Sequence, residues 1–346
     1  MARPRPDAIS PAVRQALRDA HLLLVPEGVS AEVVDALVRQ RVDDGRLLEV
    51  GRARLGRRSA VYGPFRLDDE TALAVRVPGP WSVAYALEAP PERDAAAYAD
   101  IADPVQRAWW MRLFPDGKPF REEGDVVDLA LSLARRLGGA VRIGRRPVHV
   151  QPDPGRLVDL TVWSSSWLWP QQLLAVVSGP LPGASLDLGG RRFTGPATDP
   201  EPWSSDLLDP AVVDVSHAAD ERLRLAAQVV AAANDARVLA GPDVVDGFEV
   251  RGDSHLRVGV MHEEHVPPWV RRRLQQAVDP VVTFSVGWQP ADVVPLEAEQ
   301  PPYAFRLERE RVRPRLRVTA RAIAEVTHGV VTDADGFEVD RYTLGR

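Results

Sequence analysis

The chain has 346 residues, of which 45% are hydrophobic and 27% charged, with a formal net charge of −6. That is the composition of a globular protein of two or three domains, and it excludes a disordered, collagenous or membrane-embedded chain. Cysteine is absent, which excludes disulfides, thiolate metal sites and a cysteine nucleophile.

Arginine almost replaces lysine: Lys118 is the only lysine, so any lysine chemistry rests on it. The heavy use of Ala, Val, Pro and Arg is what GC-rich codons supply, and it points to a bacterial chromosome. Pure apolar runs such as Leu173–Val177 fall far short of the ~20 residues a membrane helix needs. No apolar run of signal-peptide length follows Met1-Ala-Arg-Pro-Arg-Pro. A soluble cytoplasmic protein with no membrane partner is expected.

In the first third, Leu22–Val25 predicts a strand and Ser30–Val42 a helix with Ser30 as its N-cap. Leu47–Arg54 and Ala60–Leu67 read as a hairpin, Trp81–Leu87 as a strand and Asp125–Leu137 as a helix. Gly138-Gly139 ends that helix, and Ala140-Val141 and Val148–Val150 follow as short strands. The sum is an altered ferredoxin-like unit over 1–155. The alternative is a winged-helix module, with the Arg-rich turn ending at Tyr62 as its wing; only about two helices precede the hairpin, where that module has three.

The middle third predicts a strand over Leu157–Ser164, a helix from Trp169-Pro170 to Val177 and a strand over Ala184–Leu188. A loop over Gly189–Asp209, a helix over Ala218–Asn234 and a strand over Arg237–Ala240 follow. In the last third, Leu256, Val258 and Val260 alternate as a strand. Pro267-Pro268 opens a helix carrying Val270, Leu274, Ala277 and Val278. Val281–Trp288 alternates as a second strand, and Tyr303, Phe305 and Leu307 as a third. Val312, Leu316, Ala320 and Ile323 mark a second helix, ended by His328-Gly329 before a strand at Val330-Val331.

This order is β-α-β-β-α-β, the ferredoxin-like arrangement. The expected class is α+β with tandem ferredoxin-like units: two clear ones over 156–253 and 254–346, and the altered one at the N-terminus. Asp246–Val250 recurs verbatim as Asp335–Val339, which supports the repeat.

Candidate chemistry is sparse. His255, His262 and His265 lie close together, but His-Glu-Glu-His is one residue short of the zinc-binding helix motif and Pro267-Pro268 follows at once. No metal and no cofactor are expected. Gly51-x4-Gly56-Arg57-Arg58-Ser59 lacks the lysine of a phosphate-binding loop. No nucleophile elbow, dinucleotide fingerprint or kinase set is present.

Basic residues cluster in three segments. Residues 50–66 hold five arginines and no acid, residues 135–146 the same, and residues 306–317 six arginines against two glutamates. Within the first, Arg52 and Arg54 share one face of an extended strand, and Arg57 and Arg58 sit at the turn. These four form the candidate site for an anionic partner. Trp109 and Trp110 are a candidate partner surface, against the plainer reading of core packing. The leading expectation is a non-enzymatic binding or regulatory protein with a protein partner and a composite surface of repeated units. The alternatives are nucleic-acid binding through the three basic segments and an enzyme with a site between units.

Overall fold

The computed structural model describes residues 9–42, 47–49, 51–77, 81–101, 104–156, 158–187, 237–240, 255–263, 265–274, 281–290, 301–340 and 344. It is a mixed α+β structure built on antiparallel sheets. The described residues up to 156, with 301 to 303, form one unit, and those from 158 to 290 with 304 to 344 form a second.

The first unit runs α1 (Pro11–Asp19), β1 (His21–Val25), α2 (Ala31–Arg39), β2 (Leu47–Glu49), β3 (Arg52–Arg54), β4 (Ala60–Arg66), α3 (Asp69–Ala74) and β5 (Val83–Glu88). It continues with β6 (Arg93–Asp94), α4 (Pro104–Leu113), β7 (Lys118–Pro119), α5 (Arg121–Leu137), β8 (Ala140–Arg142) and β9 (His149–Val150). Seven of these strands form one antiparallel sheet in the order β2-β3-β4-β5-β1-β8-β9. The Arg-rich hairpin therefore continues this sheet through the β4–β5 pairing instead of standing out as a wing.

β1 is the centre of the unit. All five of its residues are buried, so it reads as an apolar run and not as an alternation. Leu22 and Leu24 face a cluster with Leu17 of α1 and with Leu67, Val75 and Val77, which flank α3. α5 packs on β1, β5 and β8, with Val126, Val127, Ala130, Leu133 and Ala134 buried. Helices thus cover both faces of the sheet. Each fully buried aliphatic side chain contributes about 1.5–3 kcal/mol. Gly138 adopts φ 64° to end α5, and Gly139 passes so close to Leu24 that a Cβ would lie 2.3 Å from its carbonyl oxygen.

The second unit runs β10 (Leu160–Ser164), α6 (Pro170–Val177), β11 (Ser185–Asp187), β12 (Arg237–Ala240), β13 (His255–Glu263), α7 (Pro268–Arg273), β14 (Val281–Gln289), α8 (Tyr303–Thr327) and β15 (Val330–Asp333). Its sheet has the order β11-β12-β13-β14-β10-β15, with every pairing antiparallel. β10 lies between β14 and β15, and Trp163 Nε1 donates to Thr332 Oγ1 at 3.0 Å. Residues on both sides of position 253 share this sheet, because β12 pairs with β13.

One expected element is corrected. Tyr303, Phe305 and Leu307 do not form a strand; they are the first two turns of α8. The buried positions Phe305, Arg309, Val312, Leu316, Ala320 and Ile323 recur every three or four residues, so the helical stripe begins at Phe305. Tyr303 and Leu307 are exposed on that helix. The intervening Arg and Glu residues are good helix formers and favour the same outcome. The first copy of the five-residue repeat, the loop over 189–209 and the helix over 218–234 lie outside the described residues. The second copy turns the chain after β15: Asp333 Oδ1 accepts from the amides of Asp335 and Phe337, and Phe337 is buried.

Candidate functional site

β3 has the burial pattern exposed, buried, exposed, so Arg52 and Arg54 share the outer face while Ala53 faces the core. The Arg52 guanidinium lies 5.4 Å from the ring centroid of Tyr62, its cross-strand partner. The β3–β4 turn is closed by the Leu55 amide donating to the Ser59 carbonyl at 2.9 Å. The backbone N–H groups of Arg57 and Arg58 donate to the Glu122 carboxylate at 3.2 and 2.9 Å. Those bonds, led by the one from Arg58, hold the Glu122 carboxyl below its usual range. Glu122 belongs to the first turn of α5, so that helix fixes the turn of a hairpin distant in sequence. Gly56 makes this approach possible, because a Cβ there would lie 2.6 Å from Glu122 Oε2.

With the backbone so held, the arginine side chains point outward. Arg52, Arg54, Arg57 and Arg58 are all exposed. Arg58 pairs with Glu92 at 2.6 Å. Among the described residues, Arg54 and Arg57 make no side-chain ion pair or hydrogen bond.

Beside this hairpin lies a cleft of about 740 Å³. It opens where β1 begins and where β5 and β8 end. Ala16 and Asp19 of α1 and the following Ala20 and His21 line one side, and residues 87–91 and 143–146 line the others. Four arginines, Arg58, Arg93, Arg145 and Arg146, face three carboxylates, Asp19, Glu88 and Glu123, around it. Leu87, Ala89, Pro90, Pro91 and Ile143 form the apolar wall.

The most buried charge in the cleft is Glu123, at 1% exposure. It accepts from Arg93 at 2.8 Å and from the Glu92 amide at 2.8 Å, and its Oε1 lies 3.5 Å from His21 Nε2. Burial pushes its carboxyl up, but His21, Arg93 and the Glu92 amide together outweigh burial and bring it down to about 2. His21 is 5% exposed and its Nδ1 is buried without a partner. At the rim the pairs are more exposed: Arg145 with Asp19 at 2.6 Å, and Arg146 with Asp116 at 2.9 Å.

Folding brings parts of the first two basic segments together. Arg58 of the first and Arg145 and Arg146 of the second reach one cleft. Arg135, Arg142 and Arg309 are buried and cannot touch a partner. The Arg142 guanidinium donates to the carbonyls of Leu17, Arg18 and Ala20, closing the C-terminal end of α1, and to that of Gly144. Burial lowers its pKa to about 10. The 306–317 segment belongs to α8 of the second unit.

Trp109 and Trp110 stand on α4, half-buried, with ring centroids 4.9 Å apart in an edge-on contact. Trp110 also lies 5.9 Å from the buried Phe114. Among the described residues no group of three or more His, Asp or Glu side chains is placed to hold a metal ion, and no helix is long and apolar enough to cross a membrane.

Sequence reasoning missed His21, Glu123 and Arg93, because the cleft draws its lining from five separate stretches of chain. One signal was present: an acid at the third position of a helix whose apolar stripe surrounds it. No family model, curated protein or solved structure matches the chain.

Proposed function

We propose that the chain is a non-enzymatic binding protein whose anionic partner is an acidic protein surface, docked on the tip of the β3–β4 hairpin. The observation that carries this reading is the pairing of a rigid turn with unsatisfied charge. Glu122 clamps the backbone at Arg57 and Arg58, while Arg54 and Arg57 project without a side-chain partner among the described residues. A preset backbone lowers the ordering cost of binding, and a guanidinium fork matches a carboxylate. A small local patch on a chain of net charge −6 suits a localised acidic group better than a polyanionic backbone.

For the fold, we propose that both units are ferredoxin-like. In the first, β1 lies between β5 and β8 with β4 beyond β5; in the second, β10 lies between β14 and β15 with β13 beyond β14. Each central strand precedes a helix, and the neighbouring β8 and β15 each follow a long one. On this reading the tandem comprises two units, the second interrupted between α6 and β13.

The test is fluorescence anisotropy of a labelled poly-glutamate peptide and of a single-stranded oligonucleotide, titrated with the full chain. The double variant Arg54→Ala/Arg57→Ala is expected to bind the peptide about tenfold more weakly with an unchanged melting temperature. An unaltered affinity in that variant overturns the reading. Tighter binding of the oligonucleotide with a steep salt dependence would assign the surface to nucleic acid instead.

A further inference from the structure

We infer that the 740 Å³ cleft of the first unit is a second binding site, for a small organic molecule carrying one oxyanionic group, carboxylate or phosphoryl, on an apolar body. This goes beyond the docking of an acidic partner and stands without it.

The size is that of a small-molecule pocket. The lining is divided: Leu87, Ala89, Pro90, Pro91 and Ile143 supply an apolar wall, and the arginines stand around it. The arginines are oriented without being saturated. Each of Arg58, Arg145 and Arg146 is held by one carboxylate oxygen through one nitrogen: Glu92 at 2.6 Å, Asp19 at 2.6 Å and Asp116 at 2.9 Å. A guanidinium has five N–H donors, so several remain open on each. The side chains of Arg58 and Arg145 are 60% and 77% exposed, and such exposed pairs yield readily to a competing oxyanion.

The deeper part behaves differently. Arg93 is committed to Glu123 and accounts for none of the free capacity. His21 is held at Nε2 by Glu123, while Nδ1 has no partner. Open donors select the ligand class. With Glu92 and Asp116 counted, five carboxylates surround the four arginines, so no positive excess draws in a polyanion, and a single oxyanion is taken by the guanidinium N–H groups left open on Arg58, Arg145 and Arg146.

The test is isothermal titration of the full chain with 1-naphthyl phosphate, 1-naphthoate and 1-naphthol, with backbone amide shifts followed at residues 87–89 and 143–146. At least one of the two anions is expected to bind with one-to-one stoichiometry and to shift those amides. 1-Naphthol is expected to bind at least tenfold more weakly. The relative affinity of the two anions assigns the site to phosphoryl or to carboxylate. Arg145→Ala and Arg146→Ala should each weaken the anion about fivefold or more, and Ala89→Trp, which fills the cleft, should abolish binding. Ala89→Trp should leave poly-glutamate binding intact, and Arg54→Ala/Arg57→Ala should leave anion binding intact, so the two sites fail separately. Absence of binding by both anions, equal binding of 1-naphthol, or shifts confined to other residues would overturn the inference.

Discussion

Replacing Glu123 by glutamine keeps the shape of the side chain and removes its charge. In the folded chain the carboxyl sits at about 2 against an ordinary 4.5. At about 1.4 kcal/mol per unit, ionisation of this one group stabilises the fold by about 3 kcal/mol at neutral pH. The sign follows from the direction: a depressed folded pKa gives stability that is fully present above the unfolded value and is lost as pH falls through the folded one. The window is therefore about pH 4.5 down to 2. Linkage leaves less than half of it at pH 3. Glu123→Gln should thus cost about 3 kcal/mol at pH 7, and the gap to the unaltered chain should narrow to less than half at pH 3. The assay is urea unfolding read by pulsed hydrogen exchange on peptides covering β1 and α5, which report the first unit alone. Comparing the two chains at each pH cancels every other carboxylate. A penalty that stays flat between pH 7 and pH 3 refutes the reasoning, because it would show that shape and hydrogen bonding, not charge, hold the cluster.

Arg142→Met should lower stability by about 3 kcal/mol in urea unfolding, since carbonyls at the end of α1 lose their donors. Arg142→Lys should recover only part, because an ammonium lacks the planar fork; full recovery would mean that charge alone suffices. Glu122→Ala should speed amide exchange at Arg57 and Arg58 severalfold and leave exchange in β1 unchanged, as measured by NMR. Gly139→Ala should cost about 2–4 kcal/mol, because its Cβ would meet a backbone oxygen that cannot step aside; a melting temperature equal to that of the unaltered chain would contradict the close approach.

Much of the strand content is legible because its signal is local. β12 spans the expected Arg237–Ala240, and β14 matches its alternating stretch within a residue. α1 and α3 escape notice because both are short and their apolar stripes are thin. Their caps were nonetheless written in the chain: Ser10 Oγ accepts from the Val13 amide, with Pro11 next, and Asp68 accepts from the Thr71 amide. The third strand of the last third was misread because three alternating apolar residues fit a strand or a helix, and only the longer stripe from Phe305 to Thr327 decides. Buried arginines were invisible for a different reason. In a chain that uses arginine almost to the exclusion of lysine, Arg142 inside the fold and Arg145 outside it look alike. The cleft, finally, is a product of pairing. His21 meets Glu123 only after β1 and α5 have packed, and no spacing in the sequence encodes that meeting.

The place of β10 in the second sheet has a consequence for how the chain acquires its structure. Synthesis delivers Leu160–Ser164 early, yet its two neighbours start only at Val281 and Val330. Closing such long loops costs entropy before any pairing returns it, so contacts of this separation form late. Until then a strand bearing Trp163, with Leu160 and Val162 beside it, offers two unpaired edges to any neighbouring chain. The first unit waits less, because β1 finds β5 some sixty residues on. The second unit is therefore the one whose yield should depend on crowding, temperature and chaperones during production, and the one that should govern whether the whole protein remains in solution.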